Sequence, residues 1–546
     1  TYKDSAVCAC TGMTYDAGYT LTVDADLTVG AIYIDRKLDI SSNNVTLTVK
    51  NTLQLGKTDT WWEGQGSINV GDGTLIVEGD LILGYNNDSN GLKWDNGNIY
   101  VGGNLICSDG GGPSPLEVGT DAYQNLSLRP GGGPESDPWA GTVPTYAGSI
   151  IMTGENKSIQ VNAAAVDLVR IKLESSTISK TGNGTLYITE NIDFNGQTAF
   201  ENSVGSVIIS GTITNAENAT LTNDAIVKIA TTTNNLAVHS GTAGSTTEYN
   251  SVGDEPVNFG TYYNLTISGG GTKTLQGDIT INHQLYFPDA GYIDLNGYDL
   301  TMNDWEDGNI YPITSADRYI ISSNGTFVIN GVGVGETANF PIGLSAADAD
   351  FARVDIENND GTKSFTVTGL CNGLYSDGTC GGTNGGYRAT KQAVDLTWFI
   401  TSASTNATMT LYWHTSRHLT DFSTTSCAVF HYGSNWELRP TQGAVSTYDG
   451  SYRYKTGTIN SFSPFSVQNG EGLLPIELVS FSAKQKPLGT MLEWETASGQ
   501  NNEFFTVYRS NNGIQFDPIA QIAGSGNSSH SQYYSYFDAS VFPGIT

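Results

Sequence analysis

Residues 75–83 read Leu-Ile-Val-Glu-Gly-Asp-Leu-Ile-Leu, and this stretch decides the fold. Apolar residues alternate on both sides of a short polar corner, which is the pattern of two short β-strands joined by a tight turn. The template occurs four times near the start of the chain. Its apolar positions are, copy by copy, Leu21, Val23, Leu27 and Val29; Leu47, Val49, Leu53 and Leu55; Leu75, Val77, Leu81 and Leu83; and Ile99, Val101, Leu105 and Cys107.

The spacing of these copies predicts a stacked architecture. Successive copies begin 26, 28 and 24 residues apart, and one unit of this size cannot bury its own apolar face. Stacked units bury that face in a continuous core. The sequence therefore predicts a β-solenoid resembling a parallel β-helix, with Leu21, Leu47, Leu75 and Ile99 in register.

Changes in sequence pattern and composition along the chain predict five segments. The template resumes after a Gly- and Pro-rich stretch, with corners such as Asn296-Gly297 that favour positive φ. Longer strands and more aromatic residues follow, as expected for an antiparallel sandwich. The segments are a first solenoid block with an N-terminal extension at 1–110, a Gly/Pro-rich loop at 111–148, a second solenoid block at 149–307, a β-sandwich at 308–472 and a fibronectin-type-III-like module at 473–546.

The last module is predicted to be an incomplete sandwich with Trp494 in its core. Such a sandwich needs about seven strands. Only five fit the pattern, at 476–481, 490–496, 504–509, 516–523 and 533–538. The fold class is thus all-β, a solenoid followed by β-sandwich domains.

Charge and hydropathy exclude several function classes. The formal net charge is −30, with 25 Lys and Arg against 55 Asp and Glu, so we expect neither nucleic acid nor anionic membranes as partners. No apolar run reaches the length that spans a bilayer, so membrane insertion is not expected. We expect a secreted, extracellular protein whose signal peptide has been removed.

The six cysteines suggest one disulfide. Cys371 and Cys380 flank a short loop of turn-forming residues and are predicted to pair in an oxidising compartment. Zinc at Cys8 and Cys10 is disfavoured because no second Cys or His pair has metal-ligand spacing. Pairing among Cys8, Cys10, Cys107 and Cys427 is left open.

The C-terminal part carries a family resemblance. Residues 474–484 read Leu-Pro-Ile-Glu-Leu-Val-Ser-Phe-Ser-Ala-Lys, residues 492–498 read Leu-Glu-Trp-Glu-Thr-Ala-Ser, and Phe504–Ser510 follow. Together with residues 459–467, they resemble secreted and surface proteins of Bacteroidota that the type IX secretion system exports. The resemblance implies repetitive β-rich ectodomains ahead of this module and a sorting domain after it. It bears on export, and says little about activity.

Two groups of side chains are candidates for catalysis or metal binding. Asp304, Glu306 and Asp307 cluster as in glycan-degrading solenoids, but the basic triplet at 170–172 is far upstream and a solvated turn is favoured. His414 and His418 have helical zinc spacing in a strand-like context, which disfavours a metalloprotease.

Weaker signals concern calcium, glycan contact and glycosylation. Asp348, Asp350 and Asp360 offer hard oxygen ligands on loops, although they match neither the EF-hand loop nor the Gly-Gly-x-Gly-x-Asp nonapeptide, and ordinary turn chemistry is favoured. Trp61 and Trp62 are candidates for a subunit or glycan contact. Ser5 lies in an Asp-Ser-Ala triplet that resembles the O-glycosylation acceptor of Bacteroidota.

These observations favour a secreted cell-surface structural or adhesive protein with no catalytic site and no cofactor, structural calcium aside. An incomplete sandwich leaves an open sheet edge, which a strand from another copy can cover. With Tyr2–Tyr15 as the donor, such head-to-tail pairing builds a filament, so copies of this chain are expected partners, with surface glycans as a second class. The alternative is a polysaccharide-degrading or carbohydrate-binding protein on the same scaffold.

Overall fold

The protein is described by a computed structural model with side chains. The described residues are 13–15, 20–23, 25–34, 37–41, 45–55, 67–83, 92–94, 96–107, 125–128, 148–162, 165–168, 170–174, 176–195, 199–234, 236, 238–303, 305–312, 316–322, 325–384, 386, 388–439, 442–470, 478–496, 499–510, 513–528 and 531–540. Strands make up 60% of the structure and helix 1%, so the chain is all-β as predicted. It divides into two compact units, Thr1–Asp348 and Ala349–Thr546.

The first unit is a parallel β-solenoid of about 11 turns, which confirms the predicted fold class. Its early turns contribute a strand to each of three faces. The three ladders there are Lys37–Asp39 on Ser67–Gly71 on Leu92–Trp94, Thr46–Val49 on Thr74–Val77 on Asn98–Val101, and Leu53–Leu55 on Leu81–Leu83 on Leu105–Cys107.

The strands of the first unit are short and numerous. Up to the Gly/Pro-rich stretch they are Met13–Tyr15, Thr20–Val23, Leu27–Val29, Ile32–Ile34, Lys37–Asp39, Thr46–Val49, Leu53–Leu55, Ser67–Gly71, Thr74–Val77, Leu81–Leu83, Leu92–Trp94, Asn98–Val101 and Leu105–Cys107. The remainder are Asn125–Leu128, Ile150–Met152, Lys157–Val161, Ala165–Leu168, Arg170–Leu173, Thr177–Thr181, Thr185–Ile188, Asn191–Asp193, Ala199–Asn202, Ser206–Ile209, Thr212–Thr214, Thr220–Asn223, Ile226–Ile229, Val238–Gly241, Thr246–Tyr249, Glu255–Val257, Gly260–Ile267, Thr272–Leu275, Ile279–Tyr286, Gly291–Asp294, Asp299–Met302, Ile310–Tyr311, Arg318–Ile321, Thr326–Val332, Thr337–Phe340 and Ile342–Gly343.

The predicted register holds for three of the four template copies. Leu47 pairs with Leu75 and Leu75 with Ile99, and all three side chains are fully buried. The first copy was misaligned: Leu27, not Leu21, lies beside Leu47, while Leu21 pairs with Leu38 on another face. The cause is corner length. The true first corner, 30–31, is one residue shorter than the later ones, so spacing alone favoured the wrong strand pair.

Side-chain alternation places the apolar column inside the coil. Fully burying a Leu or Ile side chain contributes roughly 1.5–3 kcal/mol, and each turn adds such residues on each face. The outward neighbours are half-exposed, as at Ile76 between Leu75 and Val77. Because the period is 2, a one-residue slip would expose the whole column, so the stack fixes the register.

Polar residues stack at the corners between faces. Asn104 takes the place of Asp80 one turn on, and its backbone N–H donates to Asp80 Oδ1 at 2.8 Å. Asn104 Oδ1 in turn accepts from the Ser158 N–H at 3.0 Å. Each corner side chain therefore satisfies a backbone donor of the following turn. The predicted positive φ at the Asn296-Gly297 corner is confirmed, at 50° and 86°.

Two segment boundaries differ from the prediction. Asn125–Leu128 lies within the Gly/Pro-rich stretch yet pairs in parallel with Ala165–Leu168, because its own apolar residues alternate. Parallel stacking also continues past residue 307, up to the pairing of Ile320 with Ile342. Aromatic residues there had suggested a sandwich, but Tyr319 and Phe327 are fully buried in strands that pair in parallel.

A row of polar side chains replaces the apolar column in part of the interior. Asn202 Nδ2 donates to Asn223 Oδ1 at 3.1 Å, and Asn223 Nδ2 donates to Thr247 Oγ1 at 3.1 Å. Thr247 Oγ1 lies 2.9 Å from His239 Nε2, and the His239 ring stacks on Tyr262 with centroids 4.3 Å apart. Burial lowers the pKa of His239 to about 3, so the imidazole is neutral.

Two buried lysines also bind turns of the solenoid together. Lys273 Nζ donates to the carbonyl oxygens of Ser251 and Gly253 and lies 3.3 Å from Glu255 Oε1. Lys180 Nζ donates to the carbonyl oxygens of Gly182, Gly184 and Val204. These ammonium groups satisfy glycine-corner carbonyls that would otherwise be buried without donors.

The second unit contains the predicted antiparallel sandwich and a C-terminal module. One sandwich sheet is Val354–Asn358, Ala407–His414, Tyr452–Ile459 and Ser446–Thr447, and the other is Lys363–Cys371, Thr397–Ser402, Pro464–Asn469, Cys427–Tyr432 and Trp436–Leu438. Short 3-10 helices are Asp348–Asp350 at the junction of the two units and Thr415–Arg417 in the second. The module strands are Leu478–Lys486, Gly489–Thr496, Gly499–Ser510, Phe516–Ser528 and Gln532–Asp538.

Truncating one column residue tests the stack. We expect Leu75→Ala to lower the free energy of unfolding of the first unit by about 2–5 kcal/mol, because it leaves a cavity between Leu47 and Ile99. Hydrogen exchange of the amides in Thr74–Val77 and its two neighbouring strands measures the effect. Ile76→Ala, on the outward side of the same strand, is the control and should cost about 1 kcal/mol or less. Equal effects of the two variants would contradict the inward column.

The polar row predicts acid sensitivity. The folded pKa of His239, about 3, lies below its unfolded value of 6.5, so the unfolded state takes up the proton first. Stability from this group is complete above pH 6.5 and falls as the pH drops toward 3, by at most about 1.4 kcal/mol per pH unit. In His239→Phe, exchange protection of Val238–Gly241 should lose this part of its acid dependence. His283→Phe, at an exposed imidazole, is the control, and an unchanged acid slope in His239→Phe would refute the assignment.

Candidate functional site

The C-terminal module is a three-stranded sheet and a long hairpin that share one aromatic core. The sheet order is Leu478–Lys486, Gly489–Thr496, Gln532–Asp538, and the hairpin pairs Gly499–Ser510 with Phe516–Ser528. All five strands predicted from the sequence are present, with somewhat different bounds. The three-stranded sheet forms one layer of the module and the hairpin forms the other.

Trp494 occupies the centre of this module, as predicted. Its indole is 4% exposed and stacks on Tyr534 with centroids 5.7 Å apart. Phe505 of the hairpin meets it edge-on at 5.5 Å, and Phe481 lies at 6.4 Å on the outer strand. One cluster therefore joins the hairpin to the sheet.

An ion pair fixes the same two layers. Arg509 Nη1 of the hairpin donates to Asp538 Oδ2 of the sheet at 2.9 Å. Partial burial works to raise the pKa of Asp538, but hydrogen bonds from Ser540 and Arg509 outweigh it and hold the pKa below its ordinary value. The carboxylate is thus ionised at neutral pH and the hairpin is held in place over the sheet.

Large apolar side chains of this module face solvent to an unusual extent. Phe481 is more than half exposed although its ring points to the Trp494 side of the sheet. Ten described residues of the module are large, apolar and exposed. They are Leu478, Val479, Phe481, Leu488, Phe504, Tyr508, Ile514, Phe516, Tyr533 and Phe537. Of these, Phe504 and Tyr508 are four residues apart on the outward face of one strand, Gly499–Ser510.

The strand edges of the module are also open. Gly499–Ser510 has 12 residues and Phe516–Ser528 has 13, and among the described strands each is paired in a backbone ladder with the other alone. The outward face of Gly499–Ser510, beside this edge, carries Phe504 and Tyr508, which are 47% and 56% exposed. Long edges with apolar side chains are templates for strand addition. This edge is the candidate functional site.

The calcium candidates are engaged in other interactions. Asp350 forms an ion pair with Arg417, and Asp360 Oδ2 accepts from the Thr405 N–H and hydroxyl at 2.9 Å each. Asp348 lies in the 3-10 turn Asp348–Asp350. In the part of the chain that the structure describes, no three His, Cys, Asp or Glu side chains are grouped to hold a metal ion.

The catalytic candidates are not brought together. Asp307 Oδ1 accepts from the Thr337 N–H at 3.0 Å, and the upstream bases Arg170 and Lys172 are paired with Glu190 and Glu174. Asp304 lies outside the described residues. His414 Nδ1 is 2.8 Å from Ser416 Oγ, while His418 packs against Phe422 with ring centroids 4.6 Å apart.

The predicted disulfide between Cys371 and Cys380 is present. Cys107 and Cys427 are buried free thiols, and burial raises their pKa values to about 12 and about 11. Cys8 and Cys10, the contact candidates Trp61 and Trp62, and Ser5 lie outside the described residues.

The sequence pattern missed which side chains the module exposes. The count of five strands suggested an open edge, but it could not show that Phe504 and Tyr508 border it. Alternation within Phe504–Tyr508 was the available signal, because Phe505 and Val507 face the core and leave their neighbours outside.

Comparisons with known proteins add no family assignment. No helix among the described residues is both long and apolar enough to cross a bilayer. No protein-family model, no curated protein and no solved structure matches this chain.

Proposed function

We propose that this chain is a secreted cell-surface structural and adhesive protein that assembles head to tail by strand donation. The observation that carries the proposal is the open edge of Gly499–Ser510, bordered by exposed Phe504 and Tyr508. A strand added along this edge would pair with backbone groups that no other described strand engages, and would cover part of Phe504 and Tyr508.

The proposed donor is the N-terminal segment of a second copy. Met13–Tyr15 already pairs antiparallel with Thr20–Val23 of its own chain, which limits the available donor to residues 1–12. Donation from one end of a chain to the other end of the next does not close on itself, so it produces a filament.

Export is part of the same proposal. The resemblance of residues 474–484 to type IX secretion cargo and the disulfide between Cys371 and Cys380 both support an extracellular location. The solenoid supports a structural role, since its stacked turns form a continuous hydrogen-bonded core. No specific observation favours a polysaccharide-degrading enzyme, and we do not propose one.

Removing the donor tests the assembly. We expect the full chain to sediment as polymers and to form fibres in negative-stain images, and deletion of residues 1–12 to yield monomers. Excess peptide of residues 1–12 should cap growing ends, whereas a scrambled peptide should not. A monodisperse monomer from the full chain, or unchanged polymers after the deletion, would contradict the proposal.

A pair of matched variants tests the acceptor edge. Tyr508→Lys places a charge beside the open edge and should reduce polymer mass at least about tenfold, because strand addition would bury the ammonium group. Tyr533→Lys changes an exposed tyrosine of the three-stranded sheet, on a strand other than the proposed acceptor, and should polymerise normally. Equal behaviour of the two variants would rule out this edge as the acceptor.

The disulfide provides a test of compartment. In protein taken from its native source and denatured without reductant, alkylation should modify Cys107 and Cys427 and leave Cys371 and Cys380 unmodified. Before denaturation Cys107 should also resist, since burial raises its pKa to about 12 and removes the thiolate. Peptide mass spectrometry gives the result, and alkylation of Cys371 in such protein would argue against export to an oxidising compartment.

A further inference from the structure

An aromatic and amide surface lies on the outside of the solenoid, apart from the candidate assembly edge. Gly260–Ile267 and Ile279–Tyr286 are long strands that pair in parallel, with an irregularity after Tyr262. Across this irregularity Tyr263 and Asn264 both lie outward, between the fully buried Tyr262 and Leu265. In the next turn His283 occupies the matching place, and its ring stacks on that of Tyr263 with centroids 4.9 Å apart and planes 1° apart.

A second aromatic pair lies farther along the same strands. Tyr286 is three residues beyond His283, roughly 10 Å along an extended chain. It pairs in register with Tyr311 of the following turn, and the two rings stack at 6.0 Å and 15°. The fully buried Leu285 and Phe287 flank Tyr286 in sequence, so its ring faces outward, and Tyr311 is 58% exposed.

Amide groups separate the two aromatic pairs. Asn264 and Gln284 pair in adjacent turns between them. Asn264 Nδ2 donates to the Ser245 carbonyl at 3.0 Å, which identifies the other amide atom, Asn264 Oδ1, as the acceptor. Asn264 Oδ1 accepts from His283 Nδ1 at 2.7 Å. The second ring nitrogen, His283 Nε2, is then an acceptor. The Gln284 amide and the hydroxyls of Tyr263, Tyr286 and Tyr311 make no hydrogen bond to any described residue.

Charge on this face selects the kind of ligand. Two cations lie near this surface and both are ion-paired. Arg318, which donates to the Phe287 carbonyl at 3.0 Å, lies 3.0 Å from Asp317 Oδ1, and Lys228, farther up the Tyr286 row, is 2.7 Å from Glu248. Each of these cations is thus neutralised by a carboxylate, and the chain as a whole carries a net charge of −30. A neutral ligand with many hydroxyl groups fits this surface, whereas an acidic glycan is repelled.

We propose that Tyr263, His283, Tyr286, Tyr311 and Gln284 form a binding platform for a neutral polysaccharide. Pyranose rings present C–H faces, which pack on the electron-rich face of an aromatic ring that its stacked partner does not cover. Two ring pairs about 10 Å apart hold two positions of one extended chain, and the Gln284 amide and the His283 acceptor bond hydroxyls between them. The inference supplies a ligand for the adhesive part of the proposed function and is independent of strand donation.

The test is affinity electrophoresis of the full chain through gels that contain a β-glucan, a xylan, a mannan, an α-glucan or, as the acidic arm, polygalacturonate. We expect retardation by at least one neutral polysaccharide and none by polygalacturonate. Tyr286→Ala/Tyr311→Ala should weaken the retardation about tenfold, since stacking on both rings is lost. Phenylalanine at both positions should retain most of it.

Tyr298→Ala is the matched control, because Tyr298 is also an exposed solenoid tyrosine, 38% accessible, outside the platform. Far-ultraviolet circular dichroism checks that each variant is folded. Absence of retardation by every neutral polysaccharide, retardation by polygalacturonate alone, or full retardation of the alanine double variant would each overturn the platform. Sedimentation of the same samples reports assembly separately, so failure of one proposal leaves the other measurable.

Discussion

The structure of the first unit depends on one constraint: inward side chains of each turn must meet the inward side chains of the next. Leu47, Leu75 and Ile99 meet in this way, and the backbone hydrogen bonds between turns can form only when they do. Parallel ladders are favourable when their apolar side is buried, and a solenoid achieves this by closing its faces around one core. Closing the faces around one core also buries backbone polar groups at the corners. The stacked corner side chains and the buried lysines form hydrogen bonds to these groups.

How much the sequence could predict follows from this constraint. Alternation with period 2 identifies strands, and repetition shows that they stack, so the fold class was predictable. The pairing partner of a particular strand was harder to predict, because the strands on every face have the same short alternating pattern. Leu21 and Leu27 both fit opposite Leu47, and only the length of the first corner decides between them. Aromatic residues past position 307 misled for a related reason, since Phe327 fits a solenoid interior as well as a sandwich core.

The candidate surfaces were harder to predict than the core. Packing does not restrict an outward residue to one type. Whether it forms part of a binding surface depends on its neighbours in the adjacent turns, which are distant in sequence. Tyr286 and Tyr311 are 25 positions apart and become a stacked pair only through the register of their strands. The module is different, because Trp494 was identified from its strand pattern, yet the open edge beside Phe504 required the pairing of the hairpin. Core positions can thus be recognised from the local sequence pattern. The composition of a surface depends on which strands pair.

The reversed strand Met13–Tyr15 has a directional consequence. It bonds to Thr20–Val23 in the opposite sense to the parallel ladder that follows on that face. An antiparallel pair alternates close and wide hydrogen-bond spacing, whereas a parallel ladder spaces its bonds evenly, so the bonding pattern changes at this strand. On this face the even parallel ladder therefore starts at Thr20–Val23, and the strand before it lies outside the repeating geometry of the coil.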